Sequence, residues 1–233
     1  MSIAESVGYA PDQPLHLSEQ RSAYRRQSID RVGLQLSKRV FDIFLALLLL
    51  PVLVPVIAAL WFVTRRDGGP GFFGHTRVGK NGKYFKCWKI RTMVVDAEAK
   101  LQAYLEANPA AAEEWALDHK LENDPRITRL GDFLRRTSLD ELPQIWNVLK
   151  GEMSFVGPRP VTRIEMRKYG RCRTAYLSLK PGITGLWQVS GRNNVSYDER
   201  VAMDVEYLQI MSLWEDIKII LKTGGAVLDR TGK

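Results

Sequence analysis

The longest apolar stretch of the chain, VFDIFLALLLLPVLVPVIAALWFV from Val40 to Val63, carries a single charge, Asp42. As a continuous helix, about 24 residues rise roughly 36 Å, against about 30 Å for the hydrocarbon core of a bilayer. Soluble helices seldom stay apolar on every face for so long, so a buried core helix fits poorly. A cleavable leader also fits poorly, because a long polar segment precedes the run and no small-residue cleavage site follows it. Pro51 and Pro55 fall near the middle, where each removes a backbone donor and crowds the carbonyl four residues back. Lys38 and Arg39 precede the run, and Arg65 and Arg66 follow it. Such charge concentrates on the cytoplasmic side, so both ends are expected there. A re-entrant helix, broken at the prolines and leaving by the leaflet it entered, accommodates both features. A tilted, kinked span is the alternative.

Around this segment the polar and apolar pattern is that of an ordinary folded domain. Residues 1–36 mix polar residues, prolines and arginines without apolar periodicity, and are expected to form a disordered basic tail resting on anionic lipid. Asp67 to Gly74 is a glycine-rich turn region. Asn81-Gly82 is a strong hairpin signal, followed by strand-like alternation from Lys83 to Ile90. The stretch from Gly74 to Asn81 imitates a phosphate-binding P-loop, but Asn81 lacks the hydroxyl that motif needs and no helix follows, so it is rejected. Residues 95–121 read as helices interrupted at Asn108-Pro109, with further helices over 125–136 and 140–149. The C-terminal VEYLQIMSLWEDIKIILKT has a broad apolar face carrying Trp214, which suits either the core or a membrane interface. The expected organisation is a tail over 1–36, a membrane helix over 37–66, a catalytic domain over 67–200 and an amphipathic helical segment over 201–233. The fold class is α+β, mostly helical, with a small β-hairpin and amphipathic interfacial helices.

Composition narrows the partners. The formal charge of +8 attracts polyanions: nucleic acid, acidic lipid or phosphorylated substrates. Cys87 and Cys172 stand far apart and form no secreted disulfide framework, so free thiols are expected. His16, His75 and His119 are scattered without zinc-ligand spacing.

Four constellations could carry chemistry. In RRTSLDELPQ, Ser138 and Glu141 have capping-box spacing. With Ser138 as N-cap, however, Pro143 would lie too deep in the helix. An N-cap at Asp140 would put Pro143 in the tolerant first turn and Asp140 at the positive helix mouth. In GEMSFVGPRP, Arg159 is clamped between two prolines, and a rigidly presented guanidinium suits a phosphate, although a surface turn would look the same. In KPGITGLWQVSGRN, glycines 182, 185 and 191 permit close backbone approach, with Arg192 in a tight turn. The fourth, FKCWKIRTM, is a strand studded with Lys86, Lys89 and Arg91, whose Phe85 and Trp88 are read as packing residues.

Taken in order, KRVFD before a proline-broken apolar helix, then FKCWKIRTM, TSLDELPQIWNVLKGEMSFVGPRP and KPGITGLWQVSGRN, the chain resembles the bacterial polyprenyl-phosphate hexose-1-phosphate transferases. These are the small monotopic phosphoglycosyl transferases that begin exopolysaccharide assembly. The resemblance covers roughly residues 37 to 225. NPAAAEEWALDHKLENDPRIT together with GLWQVSGRN is most similar to the succinoglycan-type galactose-1-phosphate transferases.

That resemblance implies transfer of hexose-1-phosphate, galactose first and glucose next, from a UDP-sugar to undecaprenyl phosphate with release of UMP. It implies Asp140 as nucleophile, forming a phosphosugar–aspartate intermediate. Glu141 would help hold Mg²⁺, with Asp140, or activate the lipid phosphate. A carboxylate, whose reference pKa is near 3.9, is ionised at neutral pH and needs no base to attack. It must still approach an anionic diphosphate, which calls for cations around it. Arg135, Arg159 with Pro160, and Arg192 are the candidate substrate-phosphate contacts, followed by Lys86, Lys89 and Arg91. The implied location is the bacterial cytoplasmic membrane with the catalytic domain facing the cytoplasm, where membrane lipid and a homodimer partner are considered and nucleic acid is not. Two rival readings are a membrane-tethered nucleic-acid-binding protein and a non-catalytic assembly scaffold. Both leave the Asp-Glu pair without a task.

Overall fold

A computed structural model describes residues 17–118, 121–190 and 195–228. The chain divides into two units, residues 1–38 and 39–233. Helix α1 runs from Leu17 to Thr64 with Pro51 and Pro55 inside it. Residues 17–36 are therefore helical, where the sequence pattern predicts a disordered tail; residues 1–16 lie outside the described part. Between Pro14 and Gly33 no helix breaker occurs, and Glu, Gln, Arg, Ala and Leu dominate. Their intrinsic propensity favours helix without any apolar stripe.

Residues 33–67 are long and apolar enough to cross a membrane. Leu47, Leu48, Val52, Val54 and Phe62 are exposed, whereas Ala46 is fully buried. Leu49, Leu50, Leu53 and Ile57 pack with Ala46 against Phe85, Cys87, Ile145, Val148 and Met153. One stripe of the apolar helix thus belongs to the protein core, and its other faces are exposed.

Strands β1 (Phe72–Val78) and β2 (Tyr84–Ile90) form the antiparallel hairpin the Asn-Gly pair predicts, in a register pairing His75 with Cys87 and Arg77 with Phe85. Asn81 (φ 58°) and Gly82 (φ 77°) both take the left-handed backbone such a turn requires. Helices α2 (Ala97–Ala107) and α3 (Pro109–Asp118) break at Asn108-Pro109 as expected, because proline is tolerated only in a helix's first turn. Helix α4 (Arg129–Arg136) starts later than the sequence suggests. Its N-cap is Thr128, whose hydroxyl accepts from Gly131 N at 2.9 Å.

Helix α5 (Gln144–Lys150) leads to β3 (Ser154–Val156), which pairs in parallel with β4 (Gly182–Thr184) after α6 (Arg173–Ser178). Three helices follow, α7 (Leu186–Ser190), α8 (Tyr197–Ile210) and α9 (Leu213–Leu228). A capping box at Ser196 and Glu199 starts α8. The C-terminal helices contribute to the core: Tyr207 and Ile219 cluster with Val156 and Leu179. On α9 the opposite side exposes Trp214 and Leu221. That helix therefore has a core face and an exposed apolar face.

Candidate active site

Alternation on β2 places Phe85, Cys87 and Lys89 on one face and Lys86 and Trp88 on the other. The hairpin register then brings His75 and Arg77 of β1 to the face of Phe85 and Cys87. Against the free edge of β2 lies α5, docked by a side chain that imitates a peptide group. The fully buried Asn147 accepts from Trp88 N at 3.1 Å through Oδ1 and donates to Lys86 O at 2.7 Å through Nδ2. This amide fixes what precedes α5 relative to Lys89.

What precedes α5 is a tight reversal. After α4 the chain passes through Ser138, at φ 57°, into a 3₁₀ turn over Leu139–Glu141. Neither Ser138 nor Asp140 caps a helix. Ser138 makes no side-chain cap bond, and the N-cap of α5 is Pro143 itself. Proline has no N–H to leave unsatisfied and its φ suits a helix entry, so the helix begins after it rather than before it.

The 3₁₀ turn delivers Asp140 and Glu141 to Lys89. The Lys89 ammonium donates to Glu141 Oε1 at 2.7 Å and to Asp140 Oδ2 at 3.2 Å. Asp140 is buried, with 5% of its surface exposed. Burial pushes the Asp140 carboxyl above its ordinary pKa, against the pull of Lys89. At Glu141 burial acts in the same direction but is outweighed by Lys89 and then Arg159, which hold it below the usual range. Burial would lower the Lys89 ammonium, yet the charges of Glu141 and Asp140 raise it. The pair of carboxylates is thus asymmetric: one is held firmly as an anion, and the other is less hydrated and more ready to give up its charge.

Beside this cluster opens a cleft lined by Arg77, Lys89, Glu141, Gln144, Arg159 and Pro160 among others. Arg159 is exposed between buried Pro158 and Pro160. Backbone packing fixes that turn. Gly182 N donates to Pro158 O at 2.9 Å, and Gly157 N donates to Thr184 O at 2.9 Å. A Cβ at Gly182 or Gly185 would collide with the facing backbone, so the close approach expected of these two is present; Gly157 shows the same, and Gly191 lies outside the described residues. On the far side, Tyr176 Oη donates to Val78 O at 2.8 Å and accepts from Val161 N at 3.2 Å, tying the ends of the Arg77 and Arg159 segments together.

The other candidates separate. Arg135 donates through Nε to Thr92 Oγ1 at 2.9 Å and lies close enough to Asp140 to favour its anion. Lys86 is exposed on the opposite face of the hairpin. Arg91 is buried and has its donors engaged elsewhere: Nε on Pro70 O at 2.7 Å, Nη1 on Met93 O, and Nη2 on Thr64 O at 3.1 Å and on Asp67. It is a structural clamp at the end of the apolar helix, not a cleft residue. Arg192 lies outside the described residues.

Residue type and local spacing do not single out Arg77, His75, Gln144 or Gln188, yet all four line the cleft. The signal for the first two is the hairpin register, since Asn81-Gly82 sets which β1 residues face Cys87. Arg77 also pairs with Glu165 at 3.0 Å. Burial, then the charge of Arg77, lowers the pKa of His75, which keeps it neutral. Burial raises the Cys87 thiol to about 11, so it lines the cleft as an un-ionised group.

The donor chemistry suits a divalent cation. Asp140 and Glu141 converge on one cation position, taken by the Lys89 ammonium. Among the described residues no group of three or more His, Cys, Asp or Glu could hold a metal. Two carboxylates completed by water and substrate phosphate are a set Mg²⁺ commonly accepts.

Comparison with known proteins adds two findings. A family model described as bacterial sugar transferase matches residues 34–230. Curated relatives include a "UDP-galactose-lipid carrier transferase" of Erwinia amylovora, 53% identical over 84% of this chain and 41% of its own length. An "undecaprenyl-phosphate galactose phosphotransferase" of Salmonella typhimurium is 51% identical over the same shares. An "exopolysaccharide production protein ExoY" of Sinorhizobium fredii is 50% identical over 82% of this chain and 85% of its own length. The chain thus spans about two fifths of the first two relatives and most of the third.

Proposed function

The chain belongs to the bacterial sugar transferase family, and from that premise we propose that it moves hexose-1-phosphate from a UDP-sugar to undecaprenyl phosphate at a membrane surface. The observation that carries this reading is the ion-paired cluster of Lys89, Asp140 and Glu141: Lys89 and Glu141 line a cleft that also holds Arg77 and Arg159, and the buried Asp140 joins it through Lys89. A buried carboxylate flanked by cations is what attack on an anionic diphosphate requires. Galactose is the favoured sugar, supported by the names of two relatives, with glucose next.

In the proposed chemistry an Asp140 oxygen attacks the phosphorus nearest the sugar. The bond from that phosphorus to the bridging oxygen breaks, and UMP leaves with the electron pair. The sugar phosphate is then held on Asp140 as an acyl phosphate. An oxygen of undecaprenyl phosphate attacks the same phosphorus, the bond to Asp140 breaks, and the carboxylate is restored as the lipid diphosphate sugar departs. Arg159 and Arg77 balance phosphate charge through the sequence, and Arg135 supports the Asp140 anion. Asp140 and Glu141 would hold a Mg²⁺ ion, which when bound supplies further neutralisation of the donor diphosphate.

Membrane placement is supported by where the apolar helix is tied. At one end Arg39 donates to Leu149 O at 2.7 Å and to Val148 O, and Asp42 accepts from Ser154 Oγ and Phe155 N, both at 3.0 Å. At the other end Thr64 O accepts from Arg91, and Trp61 packs against Phe72. Asp42 and Thr64 are about 33 Å apart along a straight helix, more than the hydrocarbon thickness. A water-soluble body bound to both ends favours both ends on one face, in the monotopic arrangement with the catalytic part in the cytoplasm.

Purified protein is expected to release UMP from UDP-galactose over many turnovers only when undecaprenyl phosphate is present. No UMP from any UDP-hexose sinks the proposal. With UDP-galactose alone, intact-protein mass spectrometry should find one hexose phosphate on the chain. If none forms and kinetics are strictly ternary, the covalent step is wrong while the transfer reaction survives. Cysteines placed before residue 38 and after residue 66 should be labelled from the same face of intact cells.

A further inference from the structure

We propose that Lys89 is the resting occupant of the divalent-cation position, so that metal enters the site only together with the donor's diphosphate. This rests on the metal reading above and concerns the order in which ligands arrive. Nζ of Lys89 lies 2.7 Å from Glu141 Oε1 and 3.2 Å from Asp140 Oδ2, on the two carboxylates that would hold a metal. An ammonium and a divalent ion cannot share that point, because like charges at contact distance repel and the ammonium offers the metal no lone pair. Metal arriving alone would have to eject Lys89 from both carboxylates and find it no new partner. Metal arriving on a diphosphate brings that partner with it.

The geometry permits the exchange. Lys89 is anchored on β2 by a flexible four-carbon stem, and its side chain is 29% exposed, on the wall of the cleft. Its head can swing from the carboxylates to a phosphate oxygen without moving the strand. Until then the ammonium stays paired with Asp140, and the ligand the carboxylate is to attack is the one that draws Lys89 away. Donor and metal should therefore bind with positive coupling, each raising the affinity of the other by the same factor.

Mn²⁺ binding to the full chain in lipid nanodiscs, followed by the electron-paramagnetic signal of free Mn²⁺, tests this with UDP as the diphosphate probe. Wild type is expected to bind Mn²⁺ weakly alone and more tightly with UDP, by a factor in the roughly 5- to 150-fold range of such couplings. UMP, with one phosphate, should reproduce little of that gain. Lys89→Met should bind Mn²⁺ without UDP more tightly than wild type does, and UDP should add less. Lys89→Arg, which keeps a cation at the site, should exclude Mn²⁺ as wild type does. Equal Mn²⁺ affinity of wild type with and without UDP overturns the proposal whether or not either variant folds. So does a Lys89→Met protein that binds Mn²⁺ no better than wild type. Failure of any form to bind Mn²⁺ even with UDP overturns the metal assignment itself, and this inference with it.

Discussion

Lys89 and Arg91 stand two residues apart along the chain, both cationic, and both suited by type to a phosphate. They differ in where their donors are spent. Arg91 is surrounded by the backbone oxygens of Thr64, Pro70 and Met93 and by Asp67. Lys89, at the wall of an open cleft, spends its hydrogen bonds among the described residues on two carboxylates. A guanidinium engaged by backbone carbonyls holds the fold together. An ammonium balanced by side chains that can accept another cation is exchangeable. Counting partners, not charges, separates the structural cation from the chemical one.

The largest effect should come from the carboxylate Lys89 guards. Asp140→Asn is expected to remove turnover beyond the 10²- to 10⁴-fold loss typical of a missing acid or base, measured as UMP release. Substantial residual activity would remove Asp140 as nucleophile.

Next comes the contrast itself. Lys89→Met should lower kcat/KM on the order of 10²- to 10³-fold, as loss of one preorganised charge-stabilising group does, while the protein still folds. Arg91→Met should do the reverse. It leaves several buried acceptors without a donor, at roughly 1–3 kcal/mol each, so melting temperature and yield fall while the surviving folded enzyme keeps most of its kcat. If Arg91→Met is fully stable but inactive, the assignment of these two residues is inverted.

A smaller effect concerns pH. Asp204 is buried, accepts from Tyr169 Oη at 2.6 Å, and is pushed by burial to about 7. A folded pKa above the unfolded one means its contribution to stability is complete below about 3.8 and is lost as pH rises through about 7. Melting temperature should therefore fall between about pH 4 and pH 7 and level off above it, and Asp204→Asn should flatten that decline. A decline of the same steepness in the variant would assign it to other groups. The smallest change is expected from Lys86→Ala. On the far face of the hairpin, it should alter stability by no more than about 0.5 kcal/mol and leave UMP release nearly unchanged.

Much of the fold is legible in residue order. The apolar helix, the Asn-Gly hairpin, the α2–α3 break at Pro109 and the glycine contacts around Gly157 each follow from a local rule of backbone or hydropathy. The helix from Leu17 does not show in hydropathy patterning, because propensity alone drives it and no apolar periodicity marks it. The start of α5 is ambiguous in sequence because capping spacing competes with Pro143, and in the fold the proline prevails. Arg77 and His75 carry no local signal, since their importance arises from the strand opposite them and not from their own neighbours.

The sequence by itself determined the kinds of groups present: a carboxylate pair, a proline-framed arginine, a cation-rich strand and a helix suited to lipid. Local chemistry suffices for these, since each depends on residue type and short-range backbone limits. Only the tertiary structure decided which cation meets which anion. Lys89 reaches Asp140 across 51 residues of chain because Asn147 docks α5 on the edge of β2. Arg91 is spent on the far end of the apolar helix because Thr64 lies within its reach there. Charge selects partners through distance in space, and that distance is set by packing between segments remote in sequence.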